Sequence, residues 1–106
     1  MSYRYMRIIV FFDLPTLTTK DKTNYIRFRK FLIQNGFIMM QYSVYSKLVL
    51  NKTGENIVKE RIKKQCPENG LVQLISITEK QFNKMEFVVG SGQKSIIDSD
   101  KRLVVL

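Results

Sequence analysis

One carboxylate stands where a run of apolar residues ends. Asp13 directly follows the apolar segment Ile8–Phe12, and Pro15 comes two positions later. A carboxylate at the mouth of a buried strand must be solvated or bind something, because an unpaired buried charge is unstable. Mg²⁺ takes oxygen ligands and is held by one or two carboxylates with water and phosphate. Asp13 is therefore the candidate catalytic residue and metal ligand, with an ordinary turn residue as the alternative.

A single Asp in each chain is a poor metal site. Asp21 is the nearest other acidic residue, and its position suits the start of a helix. A two-fold dimer would bring two copies of Asp13 together across its axis, so that one Mg²⁺ is shared by two chains. The sequence contains no His, which excludes a histidine triad, a histidine-containing zinc site and a histidine nuclease.

Positive charge is the second candidate for function. The chain carries 18 Lys and Arg against 9 Asp and Glu, a net charge of +9. Such a surplus suits a polyanionic partner, with a basic surface kept for solubility as the alternative. Arg27 and Lys30 have hardly an acidic residue nearby, and Lys20 falls with them on the solvent side of the predicted first helix. We therefore predict that these three side chains contact the phosphates of a nucleic acid.

A second basic segment has a different interpretation. Glu55 with Lys59 and Glu60 with Lys64 have the i, i+4 spacing at which side chains of opposite charge meet on a helix. The pattern favours local ion pairs on a solvated helix face over contacts with phosphate.

These side chains need elements to hold them, and 106 residues allow one domain. Apolar patterns and turn residues predict four strands and two helices. The strands are predicted over 6–14, 37–42, 44–50 and 71–78, and the helices over 19–35 and 55–66. The order β-α-β-β-α-β predicts an α+β, ferredoxin-like fold, in which two helices cover one face of a four-stranded antiparallel sheet.

Local signals place the faces and ends of these elements. Thr18 and Asp21 resemble a capping box, and Gly36 is suited to end the first helix. The first strand reads as buried on both faces, and a tight bend is predicted at 42–43. The residues predicted to pack inward are Phe28, Phe31 and Leu32 on the first helix, Ile57, Val58, Ile62 and Cys66 on the second, and Tyr42 and Tyr45 in the core or an interface.

The end of the chain carries two further apolar segments. Residues 86–89 and 102–106 are candidate strands that would pair with the sheet edge of the same chain or of a second copy. We therefore divide the chain into a core, 1–84, and a tail, 85–106, for contacts with a twin or a partner. The single Cys66 favours a reducing cytoplasm. Neither a membrane-length apolar run nor a signal-peptide pattern is present in the sequence, so no membrane partner is expected.

Several segments together resemble the Cas2 family, the smaller of the two universal CRISPR-associated proteins of spacer acquisition. The variant is similar to that of systems with a single large RNA-guided nuclease. The most specific segments are Phe11–Pro15, which reads Phe-Phe-Asp-Leu-Pro, and Gln41–Tyr45, which reads Gln-Tyr-Ser-Val-Tyr. Further matching segments are 1–7, 28–32, 36–39, 46–48 and 78–82.

The resemblance implies a ferredoxin-like homodimer whose C-terminal strand crosses to the sheet of the twin. It also implies a complex in which this dimer lies between two dimers of the Cas1 integrase and holds foreign double-stranded DNA for insertion as a new spacer. Members of the family are also described as magnesium-dependent endonucleases acting on RNA or DNA, and the matching motif assigns Asp13 as the metal ligand.

The residues favour the adaptor over the enzyme. One carboxylate per subunit and no His leave no obvious general base, whereas the basic surplus suits backbone binding directly. A toxin-like ribonuclease of the same fold is a further alternative, made less attractive by the tail strand and the basic helix. An RNA-recognition motif is disfavoured because the segment 43–50 lacks the glycine of that family's third strand.

Overall fold

A four-stranded antiparallel sheet with helices on one face forms the part of the protein that the structure describes, residues 5–90. In this computed structural model the strands are β1 (Met6–Asp13), β2 (Ile38–Gln41), β3 (Val44–Val49) and β4 (Leu71–Thr78), and the helices are α1 (Thr19–Gln34), α2 (Lys52–Gln65) and α3 (Glu79–Phe82). The strand order is β2-β3-β1-β4. The predicted α+β, ferredoxin-like order of the first six elements is confirmed.

The register of the sheet decides which side chains share a face. Val10 of β1 lies opposite Tyr45 of β3 on one side and Leu74 of β4 on the other. Directly paired residues project to the same face of a sheet, and successive residues alternate. The central strand β1 therefore sends one set of alternate side chains toward the helices and the other set to the opposite face.

The hydrophobic core lies between the sheet and the helices α1 and α2. Phe12 is at its centre, with its ring edge-on to Phe28 of α1 at a centroid distance of 5.2 Å and stacked on Tyr45 at 5.7 Å. Such aromatic pairs stabilise a core beyond their buried area. The buried cluster contains Ile8, Val10, Phe12, Leu14, Phe28, Leu32, Phe37, Tyr45, Val49 and Ile62.

The opposite face of the sheet carries no helix within residues 5–90 except at the end where α3 lies. Ile9 is 6% exposed on this face, but Phe11 is 40% exposed, so the predicted burial of β1 on both faces is wrong for the protomer. The reason is that both long helices pack on the other side. We call this surface the open face; its other exposed apolar residues are Ile38, Leu48, Leu71 and Ile75.

Helix α1 begins and ends as the sequence predicts. The Thr18 hydroxyl accepts a hydrogen bond from the Asp21 backbone N–H at 3.0 Å, and the Asp21 carboxylate accepts one from the Thr18 backbone N–H at 3.2 Å. The helix ends before Gly36, whose φ of +89° is a conformation that glycine adopts without strain. Phe28 and Leu32 are buried on the predicted face, and Phe31 packs against them.

Helix α2 differs from the prediction at both ends. It begins at Lys52 because the Asn51 side chain accepts a hydrogen bond from the Gly54 backbone N–H at 2.7 Å, a cap in a segment that the sequence pattern assigns to a loop. The inward face also differs from the predicted one. Ile62 is buried and Val58 packs on the core as predicted, but Ile57 is 48% exposed.

Cys66 is the second error on this helix. The sequence predicts an inert thiol on the apolar stripe, but the residue is exposed. Its backbone is extended, with φ −70° and ψ 147°, because α2 ends at Gln65 and Cys66 no longer follows the helical stripe.

The turn between β2 and β3 lies at 42–43, as predicted. Ser43 adopts a φ of +66°, the left-handed region that few residues other than glycine occupy. Its carbonyl oxygen accepts a hydrogen bond from the backbone N–H of Phe12 at 3.0 Å, which ties the turn to β1. Tyr45 is in the core, as predicted, whereas Tyr42 is 83% exposed.

The short helix α3 is not anticipated by the sequence pattern, and it closes one end of the open face. The Arg7 Nε atom donates to a Glu79 carboxylate oxygen at 2.9 Å, and the guanidinium lies 4.3 Å from the centroid of the Phe82 ring. Between residues 5 and 90, no helix combines the length and the apolar character needed to cross a membrane.

The tail beyond α3 is only partly described. Residues 86–89, predicted as a strand, have no regular structure in the protomer, where no neighbouring described strand pairs with them. Phe87, Val88 and Val89 are largely exposed. Pairing of this segment with a second copy stays a prediction, as does the division after residue 84. The predicted strand 102–106 lies outside the described residues.

Candidate carboxylate site and nucleic-acid interface

Asp13 is the last residue of β1 and belongs to the open face. It lies opposite Leu71 in the register with β4, and its side chain is exposed. A shallow cavity of about 170 Å³ surrounds it. The cavity is lined by Phe11, Phe12, Asp13, Ser43, Val44, Leu71 and Gln73. Asp13 is therefore accessible, as a metal ligand or a substrate contact must be.

Residues 5–90 of one chain do not gather further metal ligands around this carboxylate. Across the described part of the chain, no three His, Cys, Asp or Glu side chains come close enough together to hold a metal ion. The other residues with side-chain oxygen atoms around the cavity are Ser43 and Gln73, which are neutral. One carboxylate and two neutral groups are a weak donor set for Mg²⁺. The described part of one chain therefore supplies a single carboxylate to a magnesium site at Asp13.

The predicted nucleic-acid contacts lie together on α1. Lys20, Arg27 and Lys30 are separated by seven and three residues, spacings that place them along one side of the helix. All three are exposed. Within residues 5–90, none of them forms a salt bridge. We call this row the basic stripe, and its charges are available to an external anion.

A cleft of about 350 Å³ lies between α1 and the end of α2, and two residues of the basic stripe, Lys20 and Arg27, line it. Arg27 lines this cleft and also lines a second cavity with Lys30, so the two depressions adjoin at Arg27. The cleft is lined by Lys20, Asn24, Arg27 and Phe28 from α1 and by Lys64, Gln65, Cys66, Pro67 and Glu68 from the end of α2 and the loop beyond it.

The ion pairs on α2 agree with the sequence pattern at one position and differ at the other. The Lys59 ammonium lies 2.7 Å from the Glu55 carboxylate, as predicted. Glu60, however, pairs with Lys63 at 3.5 Å, so the predicted Glu60–Lys64 pair is wrong. The i, i+3 and i, i+4 neighbours of a helical carboxylate are about equally close, and sequence spacing does not choose between them.

Glu55 is the buried acid that anchors α2. Its side chain is only 4% exposed, between Lys59 and the more distant Lys52. The hydrogen bond from Lys59 lowers the pKa of Glu55 below its ordinary value, although burial opposes the shift. Lys59 is thus paired with an acidic residue of its own helix, unlike the three residues of the basic stripe, which form no salt bridge within residues 5–90.

The structure does not bring Asp13 and the basic stripe together within one protomer. The cavity around Asp13 and the cleft between the helices share no lining residue. Asp13 faces away from the helices, whereas the stripe lies on the outer surface of α1. The protomer thus presents Asp13 and the basic stripe in two separate depressions of its surface.

Sequence comparison connects this architecture to a known family. The sequence model of the family described as CRISPR associated protein Cas2 matches residues 6–85, a segment that contains all seven helices and strands of the described structure. The chain belongs to the Cas2 family. The predicted resemblance to the Cas2 family is therefore confirmed. The matched residues include the two most specific segments, one at the end of β1 and the other at the β2–β3 turn.

Relatives from three bacteria cover nearly the whole of this Cas2 chain, and each is named CRISPR-associated endoribonuclease Cas2. The relative from Treponema denticola is 52% identical over 95% of this chain and 100% of its own length. The relative from Streptococcus mutans is 46% identical over 95% of this chain and 93% of its own length. The relative from Ligilactobacillus salivarius is 42% identical over 95% of this chain and 100% of its own length.

Proposed function

We propose that this Cas2 chain acts in CRISPR adaptation as a homodimeric bridge between two Cas1 integrase dimers and holds foreign duplex DNA for insertion as a new spacer. The observation that carries the proposal is the basic stripe, in which Lys20, Arg27 and Lys30 are exposed and have no acidic partner within residues 5–90. Unpaired cations in a row neutralise backbone phosphates without reading the base sequence. An adaptor that accepts foreign DNA of any sequence needs such a contact.

The open face supports the homodimer. Phe11 on the inner strand β1 and Ile75 on the edge strand β4 are 40% and 49% exposed on this face, where a monomer would leave apolar area in water. A second copy is the occupant that we propose, because the exposed apolar segment 87–89 can add a strand to the sheet edge of a twin. The proposed role is cytoplasmic, which agrees with the single cysteine.

The test of DNA holding is reversal of charge on the stripe. We expect the double variant Arg27→Glu, Lys30→Glu to bind duplex DNA far more weakly than the unmodified chain. The log–log slope of binding against salt should flatten by about 0.9 for each phosphate that the variant no longer neutralises. The double variant Lys80→Glu, Lys84→Glu is the control, since it makes the same charge change at two exposed positions off α1. Equal losses of affinity in the stripe and control variants would contradict a localised interface.

The test of the bridge uses reconstituted integration. We expect the dimer with Cas1 to insert duplex DNA, and Asp13→Ala to leave insertion intact, because the stripe and Asp13 line separate surfaces. A chain that runs as a monomer, or that fails to join Cas1 with or without DNA, would overturn the adaptor proposal.

A second candidate function is a metal-dependent endonuclease acting on RNA or DNA. It is favoured by the exposed position of Asp13 at the end of β1 and by the endoribonuclease name of the relatives. In this proposal, two copies of Asp13 in the homodimer share one Mg²⁺. Asp13→Asn should then abolish magnesium-dependent cleavage while light scattering still shows a dimer. Cleavage that survives Asp13→Asn would rule out this mechanism.

A further inference from the structure

We propose that the cleft between α1 and the end of α2 is a phosphate pocket, in which Lys64 acts with Lys20 and Arg27 on one backbone phosphate of bound duplex DNA. The inference rests on the proposed DNA-holding role and adds to it a site and a residue. Lys64 lies on the helix whose basic residues the sequence pattern assigns to local ion pairs.

The charges around the cleft favour an anion. Three cationic side chains, Lys20, Arg27 and Lys64, line it, against the single carboxylate of Glu68. None of these four groups forms a salt bridge with another described residue. The cations come from two different helices, so both walls of the cleft carry positive charge. Like charges in excess over the one carboxylate repel one another, and a phosphate group relieves that repulsion.

The pairing on α2 indicates why Lys64 is available. Its neighbour Lys63 lies 3.5 Å from Glu60 and belongs to the exposed outer side of the helix. Lys64 has no such partner in the described chain and lines the cleft instead. The two adjacent lysines thus have different surroundings. Lys63 pairs with an acidic residue of its own helix, whereas Lys64 lines the cleft together with two further cations.

The remaining lining suits a sugar-phosphate backbone. Asn24 and Gln65 supply side-chain amides, which donate hydrogen bonds to phosphate oxygens. Phe28 is 1% exposed and forms part of the apolar floor, which holds the surrounding helices in place. The volume of about 350 Å³ leaves room for a phosphate with its adjoining sugar. The cavity beside Lys30 shares Arg27 with this cleft and lies further along the basic stripe, where the next phosphate of the strand would be held.

A helix end offers a competing role for Lys64. The last turn of α2 carries partial negative charge on its free carbonyl groups, which any lysine nearby offsets. Lys63 and Lys64 both occupy that turn. A loss of binding caused only by weakening of the helix would therefore appear in substitutions of either residue. This makes Lys63 a control matched in residue type, helix and turn.

The experiment compares Lys64→Gln with Lys63→Gln in the full chain, with duplex DNA titrated at several salt concentrations. We expect Lys64→Gln to weaken binding about threefold or more and to reduce the log–log salt slope by about 0.9, the signature of one fewer phosphate neutralised. Lys63→Gln should leave both quantities unchanged. Thermal unfolding of the two variants checks that each is folded, and Lys64→Arg should restore binding because it keeps the charge and the donors.

Each other outcome overturns the inference. Equal losses of affinity in the two lysine variants would assign the effect to general charge or to the helix end. Unchanged binding by Lys64→Gln, with weaker binding by Arg27→Gln and Lys30→Gln, would leave the DNA-holding role intact and exclude the pocket. Retained DNA binding with a weaker grip on Cas1 would make the occupant an acidic protein segment. An unmodified chain that does not bind duplex DNA would refute the proposed function and the pocket together.

Discussion

The backbone carbonyl oxygen of Asp13 lies 2.8 Å from the point at which a Cβ atom would stand on Gly70. Gly70 also has a φ of +99°, and the same Cβ would meet the side chain of Leu14 at 2.8 Å. A glycine is therefore required here for both conformation and space. This contact fixes the end of β1 against the start of β4, and it holds the candidate carboxylate in place at the rim of the sheet.

Gly70→Ala should destabilise the protein by about 1–3 kcal/mol, because a side chain is strained at this φ and collides with backbone. Urea unfolding measures the loss of stability. Gly90→Ala is the control, since Gly90 has a similar φ of +94° but nothing within 4 Å of its added carbon. An equal loss in the two variants would show that conformation alone matters and that the close approach to Asp13 does not.

Arg7→Ala should release α3 from the sheet and cost about 1–3 kcal/mol, since the Glu79 carboxylate of this partly buried pair is left without its charged hydrogen bonds. Arg7→Lys keeps the charge but not the two-pronged contact with Glu79 or the flat packing on Phe82. We expect it to recover only part of the stability. Thermal unfolding of the unmodified chain, Arg7→Lys and Arg7→Ala measures whether stability falls in that order. Full recovery of stability in Arg7→Lys would show that only the charge matters.

Glu55 should make the protein less stable in acid. Its folded-state pKa is lowered from the ordinary value of 4.5, so its contribution to stability is present above that pH and is lost as the pH falls through the folded-state pKa. Glu55→Gln should remove this part of the pH dependence. Urea unfolding between neutral pH and strong acid compares the two proteins, whose stabilities should approach each other at the acid end.

Glu60→Gln is the control for this pH dependence. Glu60 also pairs with a lysine, but both side chains are about two-thirds exposed, and such pairs contribute little to stability. Glu60→Gln should leave the loss of stability at acid pH the same as in the unmodified chain. A change as large as that of Glu55→Gln would contradict the role assigned to burial.

Ser43 should tolerate glycine and reject a branched side chain. Its φ of +66° strains most residues, so Ser43→Gly should be at least as stable as the unmodified chain, whereas Ser43→Val should lose about 1–2 kcal/mol. Urea unfolding of both variants measures the difference. Similar stabilities for glycine and valine would show that the turn relaxes to another conformation.

The open face should control self-association. Ile75→Lys places a charge on this face, on the edge strand β4, and should convert the proposed dimer to a monomer, as measured by light scattering after size-exclusion chromatography. Ile26→Lys is the control, because Ile26 is an isoleucine of similar exposure, 60% against 49%, on the outer side of α1. A dimer that survives Ile75→Lys would place the interface elsewhere.

Local signals in the sequence predict most of the fold. The capping box of Thr18 and Asp21 and the left-handed Gly36 define α1 to within a residue. Alternation and apolar content locate the four strands, including the unusual bend at Ser43, which no glycine marks. These features depend on neighbouring residues, which is why a single sequence contains them. A capping box of Thr78 and Gln81 also marks α3, although Thr78 reads equally well as the end of a strand.

The candidate site depends on features that local patterns do not encode. Asp13 is correctly placed at the end of β1, but its neighbours Leu71 and Gln73 come from a distant strand. The prediction pairs Lys64 with Glu60, because spacing ignores which of two adjacent lysines turns toward α1. Cys66 is exposed because α2 ends at Gln65, one residue before the predicted end. Tertiary packing decides each of these, so sequence periodicity alone leaves them open.

The cap at Asn51 has a consequence for α2 as a whole. Successive residues of an α-helix are turned by about 100°, so the number of residues between the cap and a later position sets the rotation of that side chain relative to the cap. Inserting one residue between Asn51 and Glu55 would leave the composition and the helix almost unchanged. It would nevertheless force a choice between keeping Glu55 buried and keeping the cap, and only the first keeps Lys64 directed at α1. Whether Lys63 or Lys64 lines the cleft therefore depends on the helical rotation counted from the cap at Asn51, more than ten residues earlier in the chain.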